Sequence, residues 1–161
     1  YEPDAWNIEE VQYINNCYTY ALDENGLDAV FIDEIRGLSR SIHGENPGYT
    51  GSEYLRSQEE ITLNRVMEAA ISDGRVKKPN FWNNLGFGKD GYYSVYLVTK
   101  DGTDYHWYRQ DKGGRWSHKS GELPVINTDA SGRVIRNPAR ANHNYKHVHY
   151  NSVGILLWIK R

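Results

Sequence analysis

The residue best suited to covalent chemistry in this sequence is its single cysteine, Cys17. Asn15 and Asn16 precede it and Gly26 follows, which predicts a short helix with one of the asparagines as N-cap and Cys17 in the first turn. The positive end of a helix dipole favours a thiolate, so this position could lower the thiol pKa and create a nucleophile. The alternative is that Cys17 is a small buried apolar residue.

Two histidines could act on that thiol from a sheet. The alternation of side chains in a strand that ends at Gln110 places His106 on the face opposite Trp107. If Asp111 to Gly113 form a three-residue loop with Gln110 opposite Gly114, His106 lies directly opposite His118 on the returning strand. A slip of one residue would move His118 to the other face, and two exposed sheet histidines remain the alternative.

A cysteine at a helix start and two histidines on successive strands match the roles of a nucleophile, a general base and the residue that orients the base. This order resembles the papain-like cysteine hydrolase superfamily, in particular its NlpC-type amidase branch, and a group of bacterial proteins that share the same motifs. The resemblance rests on Asn-Asn-Cys-Tyr-Thr-Tyr-Ala from Asn15, His-Trp-Tyr-Arg-Gln-Asp from His106 and Trp-Ser-His-Lys from Trp116.

The resemblance implies roles for further residues. Cys17 would be the nucleophile, His106 the base and His118 the orienting residue, with Asp111 or Asp129 as alternatives for the last role and Asp104 ranked below His118. Gln12, with Asn16 or Asn15 in reserve, would stabilise the oxyanion together with the backbone N–H of Cys17. The aromatic residues predicted to contact substrate are Trp107, Tyr108 and Trp116, although core packing is the alternative for them.

A cofactor or metal ion is not predicted. His143, His147 and His149 form a His-x-x-x-His-x-His cluster that could bind zinc on paper. This spacing is not specific, and the surrounding polar segment, Asn137 to Tyr150, is typical of a loop with solvated or aromatic-packed histidines.

These residues must be positioned by helices and strands. In the sequence the predicted helices come first and the predicted strands later, which indicates an α+β fold. An amphipathic helix is expected between Ser52 and Asp73, with a possible capping box of Ser57 and Glu60 partway in and with Gly74 ending it. A hairpin follows, from Tyr92 to Gln110 around Asp101-Gly102, and Val153 to Lys160 supplies a late apolar strand. We expect one domain over residues 1–161, in which the Cys17 helix packs on an antiparallel sheet of about five strands. This core would be papain-like or NlpC-like, with residues 29–91 as a helical and loop insertion.

Composition excludes several classes of protein. The 161 residues carry 19 Lys and Arg against 21 Asp and Glu, a formal charge of -2, which argues against a basic nucleic-acid surface. The longest apolar stretch, Val153 to Ile159, is too short to insert into a membrane. Because the chain begins at Tyr1, we expect its natural N-terminus to precede this residue, so an export signal cannot be judged.

The predicted function is that of a cysteine-dependent amide hydrolase. The first expectation for its substrate is the peptide amides of peptidoglycan, cut by a secreted amidase or by a toxin that is delivered to the periplasm of a target cell and has a cognate inhibitor protein. A protease or deamidase acting on a protein is a second interpretation. A third is a non-catalytic binding module with an inert Cys17, whose aromatic surface would be lined by Trp82, Trp107, Tyr108 and Trp116.

Overall fold

We describe residues 3–24, 46–79 and 91–161 in a computed structural model of the chain. Much of the predicted insertion, residues 29–45 and 80–90, lies outside the described residues. The prediction of one domain with an insertion at 29–91 therefore stays a prediction.

Four α-helices and two short 3-10 helices are present in the described segments. Their bounds are α1 Pro3–Trp6, α2 Glu9–Ile14, α3 Cys17–Leu22 and α4 Leu63–Ser72, with 3-10 turns at Gln58–Glu60 and Pro138–Arg140. None of the helices in these segments has the length and apolar character to cross a membrane.

Helix α3 begins as the sequence predicts. The Asn16 side chain accepts hydrogen bonds from the backbone N–H groups of Tyr18 and Thr19, and the Asn16 N–H donates to Thr19 Oγ1, which makes a reciprocal cap. Cys17 therefore stands in the first turn. The helix ends at Leu22, before Gly26, because Asp23 adopts a left-handed conformation (φ 58°) and donates its N–H to helix carbonyls.

Helix α4 is shorter than the predicted helix over Ser52 to Asp73. Its N-cap is Thr62, whose side chain accepts from the Arg65 N–H at 3.3 Å. Glu60 does not cap with Ser57 but accepts from the backbone N–H of Arg56. The end at Gly74 (φ 86°) agrees with the sequence, since glycine is the residue that takes this conformation without strain.

The Asp73 carboxylate ties the segment 48–51 to the end of α4. Oδ1 accepts from the N–H groups of Thr50 (3.0 Å) and Gly51 (2.9 Å) and from the Thr50 hydroxyl (2.9 Å). Oδ2 accepts from the Gly48 N–H (2.8 Å) and the Tyr18 hydroxyl (2.7 Å). Four hydrogen bonds therefore hold this segment at the end of α4, and the fifth joins the same carboxylate to Tyr18 of α3.

The described strands form a six-stranded antiparallel sheet and a separate two-stranded hairpin. The α+β class is therefore confirmed, with one strand more than the five expected. The order is β1-β8-β2-β3-β4-β5, with strands β1 Val76–Lys77, β2 Tyr92–Lys100, β3 Asp104–Gln110, β4 Trp116–Lys119, β5 Val125–Ile126 and β8 Ile155–Lys160, and the hairpin is β6 Asn144–Tyr145 with β7 Val148–His149. The late apolar strand predicted at Val153 to Lys160 is strand β8, which lies inside the sheet between β1 and β2.

The register of β3 and β4 differs from the predicted one. Gln110 pairs with Trp116 and Tyr108 pairs with His118, so His106 does not lie directly opposite His118. The loop has three residues but lies one residue further along the chain than expected, at residues 112–114, because the Asp111 N–H donates to the Arg115 carbonyl and extends the ladder beyond Gln110. The shift amounts to two positions, which preserves the face of every side chain.

Each face of the sheet carries its own core. Helices α3 and α4 cover one face, where Cys17 and Trp107 are buried together with the odd-numbered residues of β2 and β8. Residues 135–150, called the C-terminal segment below, cover the other face, where Tyr108 and Tyr150 pack with Trp116. The alternation predicted for β3 is confirmed, and it assigns neighbouring residues to different cores.

Candidate functional site

Cys17 lies on the helix face of the sheet, beside β3. Its thiol is 7% exposed and donates a weak hydrogen bond to the Tyr105 carbonyl, with Sγ 4.0 Å from the oxygen. Burial raises the thiol pKa to about 12, and the nearby Asp104 carboxylate adds to the shift. The prediction that the helix start lowers this pKa is wrong, because loss of solvation outweighs the dipole of a six-residue helix.

His106 lies on the other face of the same strand. Its ring packs against Tyr108 (centroids 4.9 Å apart) and stacks on Tyr150 (5.4 Å), and both rings belong to the core beneath the C-terminal segment. Cys17 and His106 both border one cleft of about 790 Å³, but the backbone of β3 lies between the two cores. The structure brings the two side chains to one cleft without placing them on one face.

His106 and His118 form a direct hydrogen-bonded pair. His106 Nε2 is 2.8 Å from His118 Nδ1, and His118 Nε2 is 3.0 Å from the Thr128 carbonyl oxygen. A carbonyl only accepts, so we assign the proton of His118 to Nε2, which leaves its Nδ1 to accept from the N–H of His106. Sequence reasoning placed the two rings on one face correctly, and the diagonal arrangement still lets them meet.

Both imidazoles are neutral. Burial lowers the pKa of His106 well below its usual 6.5, and the neighbouring His118 and His143 rings add to the shift. Burial lowers the pKa of His118 to about 4, although the hydrogen bond to Thr128 opposes this. A neutral, hydrogen-bonded pair in a packed core stabilises the packing around it. The catalytic roles predicted for Cys17, His106 and His118 stay predictions.

Two tyrosines that the sequence did not single out complete this cluster. The Tyr145 and Tyr108 hydroxyls are 3.0 Å apart, and the Tyr150 hydroxyl donates to Asp104 Oδ2 at 2.7 Å. Both belong to the segment from Asn137 to Tyr150, predicted as a polar loop. The sequence does show tyrosines among the histidines of that segment, which could have indicated an aromatic cluster. Only the fold shows which strands these tyrosines cover.

Of the residues predicted to stabilise an oxyanion, Asn16 and Asn15 use their side chains in local structure. Asn16 borders the cleft, but its side-chain oxygen already caps α3. The backbone carbonyl of Gln12 accepts from the buried Lys119 ammonium at 2.6 Å, which ties α2 to β4, and the predicted role of the Gln12 side chain stays a prediction. Asn15, the reserve for this role, donates its side-chain N–H to the Val11 carbonyl.

The predicted substrate contacts are buried. Trp107 and Tyr108 are 0% exposed and Trp116 is 5% exposed, and Trp107 lies on the opposite face from the other two. They fill the two cores, as the alternative interpretation held, and cannot form a shared binding surface. Trp82, which the binding-module interpretation would add, lies outside the described residues.

The alternative orienting residues also have other partners. Asp111 Oδ1 accepts from the Ser117 hydroxyl at 2.7 Å, and Ser117 in turn contacts the Tyr20 hydroxyl, so this chain of contacts runs on the helix side of the sheet. Asp129 accepts from backbone N–H groups of its own turn and from Asn142. Asp111 therefore lies on the face of the sheet opposite His106 and His118.

The candidate zinc ligands do not come together around one point. They are His143, His147 and His149. His147 and His149 are exposed, whereas the half-buried His143 packs against the Tyr108 ring at 5.3 Å. In residues 3–24, 46–79 and 91–161, no three His, Cys, Asp or Glu side chains stand close enough to hold a metal ion.

We expect Cys17 to react slowly with iodoacetamide at neutral pH. Its thiol is buried and its pKa is raised to about 12, so very little thiolate is present. The measurement is the labelling rate followed by mass spectrometry, with the variant Cys17→Ser/Leu123→Cys as control, because Leu123 is 63% exposed. Labelling of Cys17 as fast as that of the control would contradict a buried, protonated thiol.

Comparisons with known proteins give one informative result. No family model matches the chain, and no solved structure matches it significantly. The insoluble matrix shell protein 1 of Ruditapes philippinarum is 33% identical over 144 residues, which cover 88% of this chain and 80% of that protein. That name describes a component of a shell matrix. The predicted function as an amide hydrolase, peptidase or antibacterial toxin is therefore wrong.

Proposed function

The chain belongs to the family of the insoluble matrix shell protein 1 of Ruditapes philippinarum, and on this basis we propose that it is a secreted structural component of an insoluble extracellular matrix. The observation that carries the proposal is the extent of the likeness, since it spans most of both chains. A matrix role requires a durable folded domain. It does not require a reactive centre.

The geometry of the candidate site supports this role. The thiol of Cys17 is protonated and buried, and the His106–His118 pair is neutral and held by hydrogen bonds. A hydrogen bond between buried groups is strengthened by the low local dielectric, so this pair joins β3 to β4 firmly. The side chains that suggested chemistry thus serve as internal connections between the helices, the sheet and the C-terminal segment.

Two finer predictions are separate from this proposal. A papain-like core within the α+β class stays a prediction, as does a cognate inhibitor protein. Secretion is part of the proposed function, whereas delivery to the periplasm of a target cell has no support.

The test is fractionation of the organism that carries the gene. An antibody against the folded domain would be used on three fractions: cell lysate, soluble extracellular material, and extracellular residue that resists detergent and urea. We expect the protein in the resistant residue, and we expect Cys17→Ser, expressed from the same locus, to distribute identically. Recovery of the protein chiefly inside cells would refute the proposal.

A further inference from the structure

Tyr49 and Tyr54 form an exposed aromatic pair at the edge of the cleft. Their side chains are 51% and 45% exposed, and their ring centroids are 6.2 Å apart with the ring planes at 69°. Asn46 and Leu55, which flank the pair in sequence, both border the cleft. The two phenols are therefore close to each other and open to reagents in solution.

Most of the other tyrosines in the described segments are less exposed than this pair. Several are buried, with each hydroxyl hydrogen-bonded to a protein oxygen. Examples are Tyr18 with Asp73, Tyr20 with Ser117, Tyr96 with Val153, Tyr108 with Tyr145 and Tyr150 with Asp104. Core packing thus accounts for these residues but not for an exposed pair.

The backbone beneath the pair is fixed. Asp73 holds residues 48–51, and a salt bridge of 2.8 Å joins Glu53 to Arg65 on α4. A Cβ atom on Gly48 would come within 2.6 Å of the Glu53 carbonyl oxygen, and the left-handed backbone there (φ 86°) also favours glycine. The rings are therefore presented at a set separation by an ordered segment.

We propose that Tyr49 and Tyr54 are a modification site at which oxidation couples the two phenols into an intrachain dityrosine. Each phenol gives up one hydrogen atom, and the two phenoxyl radicals join through ring carbons ortho to their oxygens. The hydrogen on each joined carbon then moves to the oxygen, which restores both hydroxyls. The oxidant is hydrogen peroxide acting through a peroxidase, and it takes up the two hydrogen atoms and becomes two molecules of water.

The geometry favours coupling within the chain. Two groups on one rigid segment meet at an effective concentration on the order of millimolar or higher, above that of a dilute second molecule. Tyr13, which is 49% exposed on α2, is the main competing phenol among the described residues. The angle of 69° between the rings of Tyr49 and Tyr54 also makes them a poor flat platform for stacking on a ligand. The proposal is independent of the matrix role, because it requires only exposed phenols, hydrogen peroxide and a peroxidase.

The experiment treats the purified protein with a peroxidase and hydrogen peroxide at several protein concentrations. We expect dityrosine fluorescence in a product that stays monomeric, has lost two hydrogen atoms by intact mass, and yields a peptide linking Tyr49 to Tyr54. The yield should not change on dilution, since the reaction is intramolecular.

Three variants make the result specific. Tyr49→Phe and Tyr54→Phe should each lower monomer dityrosine by about tenfold, because each removes one partner of the close pair. Tyr13→Phe, the matched exposed control, should leave it unchanged. Both variants at the pair replace exposed side chains, and circular dichroism would verify that each is folded. The proposal is overturned if either folded variant forms as much monomer dityrosine as the wild type, or if all dityrosine appears in dimers.

Discussion

Replacing Trp107 with alanine will lower the free energy of unfolding by about 4 kcal/mol, the usual cost of truncating a buried aromatic residue. The indole is 0% exposed and lies between the sheet and the helices, 5.4 Å from the Tyr18 ring. It also contacts the core that contains Cys17 and Leu97. Truncation leaves a cavity that neighbours held by the sheet ladder cannot fill.

Urea denaturation followed by circular dichroism would measure this loss. Trp107→Phe should cost less than half as much, since it keeps most of the apolar surface and removes an indole N–H with no partner in the described part of the chain. Val153→Ala is the surface control, because Val153 is 92% exposed. A loss below about 1 kcal/mol for Trp107→Ala would mean that this side chain does not fill the core.

Lowering the pH from about 6.5 to 4 will destabilise the protein through its buried histidines. The unfolded chain binds a proton at each histidine below its ordinary pKa of 6.5, whereas burial lowers the folded pKa of His118 to about 4. Stability is therefore fully present above pH 6.5 and falls as the pH drops toward 4. At about 1.4 kcal/mol per pK unit, His118 alone accounts for a loss on the order of 3 kcal/mol. His106, whose pKa is also lowered by burial, adds to it.

The measurement is the free energy of unfolding in urea at several pH values. His118→Asn keeps a hydrogen-bond acceptor near the position of Nδ1 but does not titrate, so its stability should fall less steeply than that of the wild type between pH 6.5 and 4. His147→Asn, at an exposed position, should follow the wild-type slope. Carboxylates that do not interact with His118 titrate in all three proteins and cancel in the comparison. Equal slopes for wild type and His118→Asn would contradict a buried neutral imidazole.

Local features of the fold were predictable because they depend on neighbours in sequence. The Asn16 cap, the end of α4 at Gly74 and the β2–β3 hairpin follow from side chains within a few residues of each other. The start of α4 is predicted too early, at Ser52: Ser57 and Glu60 offered one possible cap within this stretch, but Thr62 makes the cap. Competing local hydrogen bonds decide such boundaries, and a pattern alone does not rank them.

The candidate site could be predicted only in part. Alternation along β3 correctly separated His106 from Trp107, and the shared face of His106 and His118 survived a register shift of two. The same alternation puts Cys17, which packs with Trp107, in a different core from His106. The order of motifs along the chain could not reveal this, because it does not say which face of the sheet the α3 helix covers.

The sequence by itself determined the α+β class, the cap that places Cys17 in a first turn, and the face that each β3 side chain occupies. These follow from short-range sterics and hydrogen bonding. Only the tertiary structure decided that Cys17 is buried with a raised pKa, that the histidines are neutral, and that Tyr145 and Tyr150 enclose them. Solvation and long-range packing set these properties, and both depend on residues far away in sequence that meet only in the folded chain.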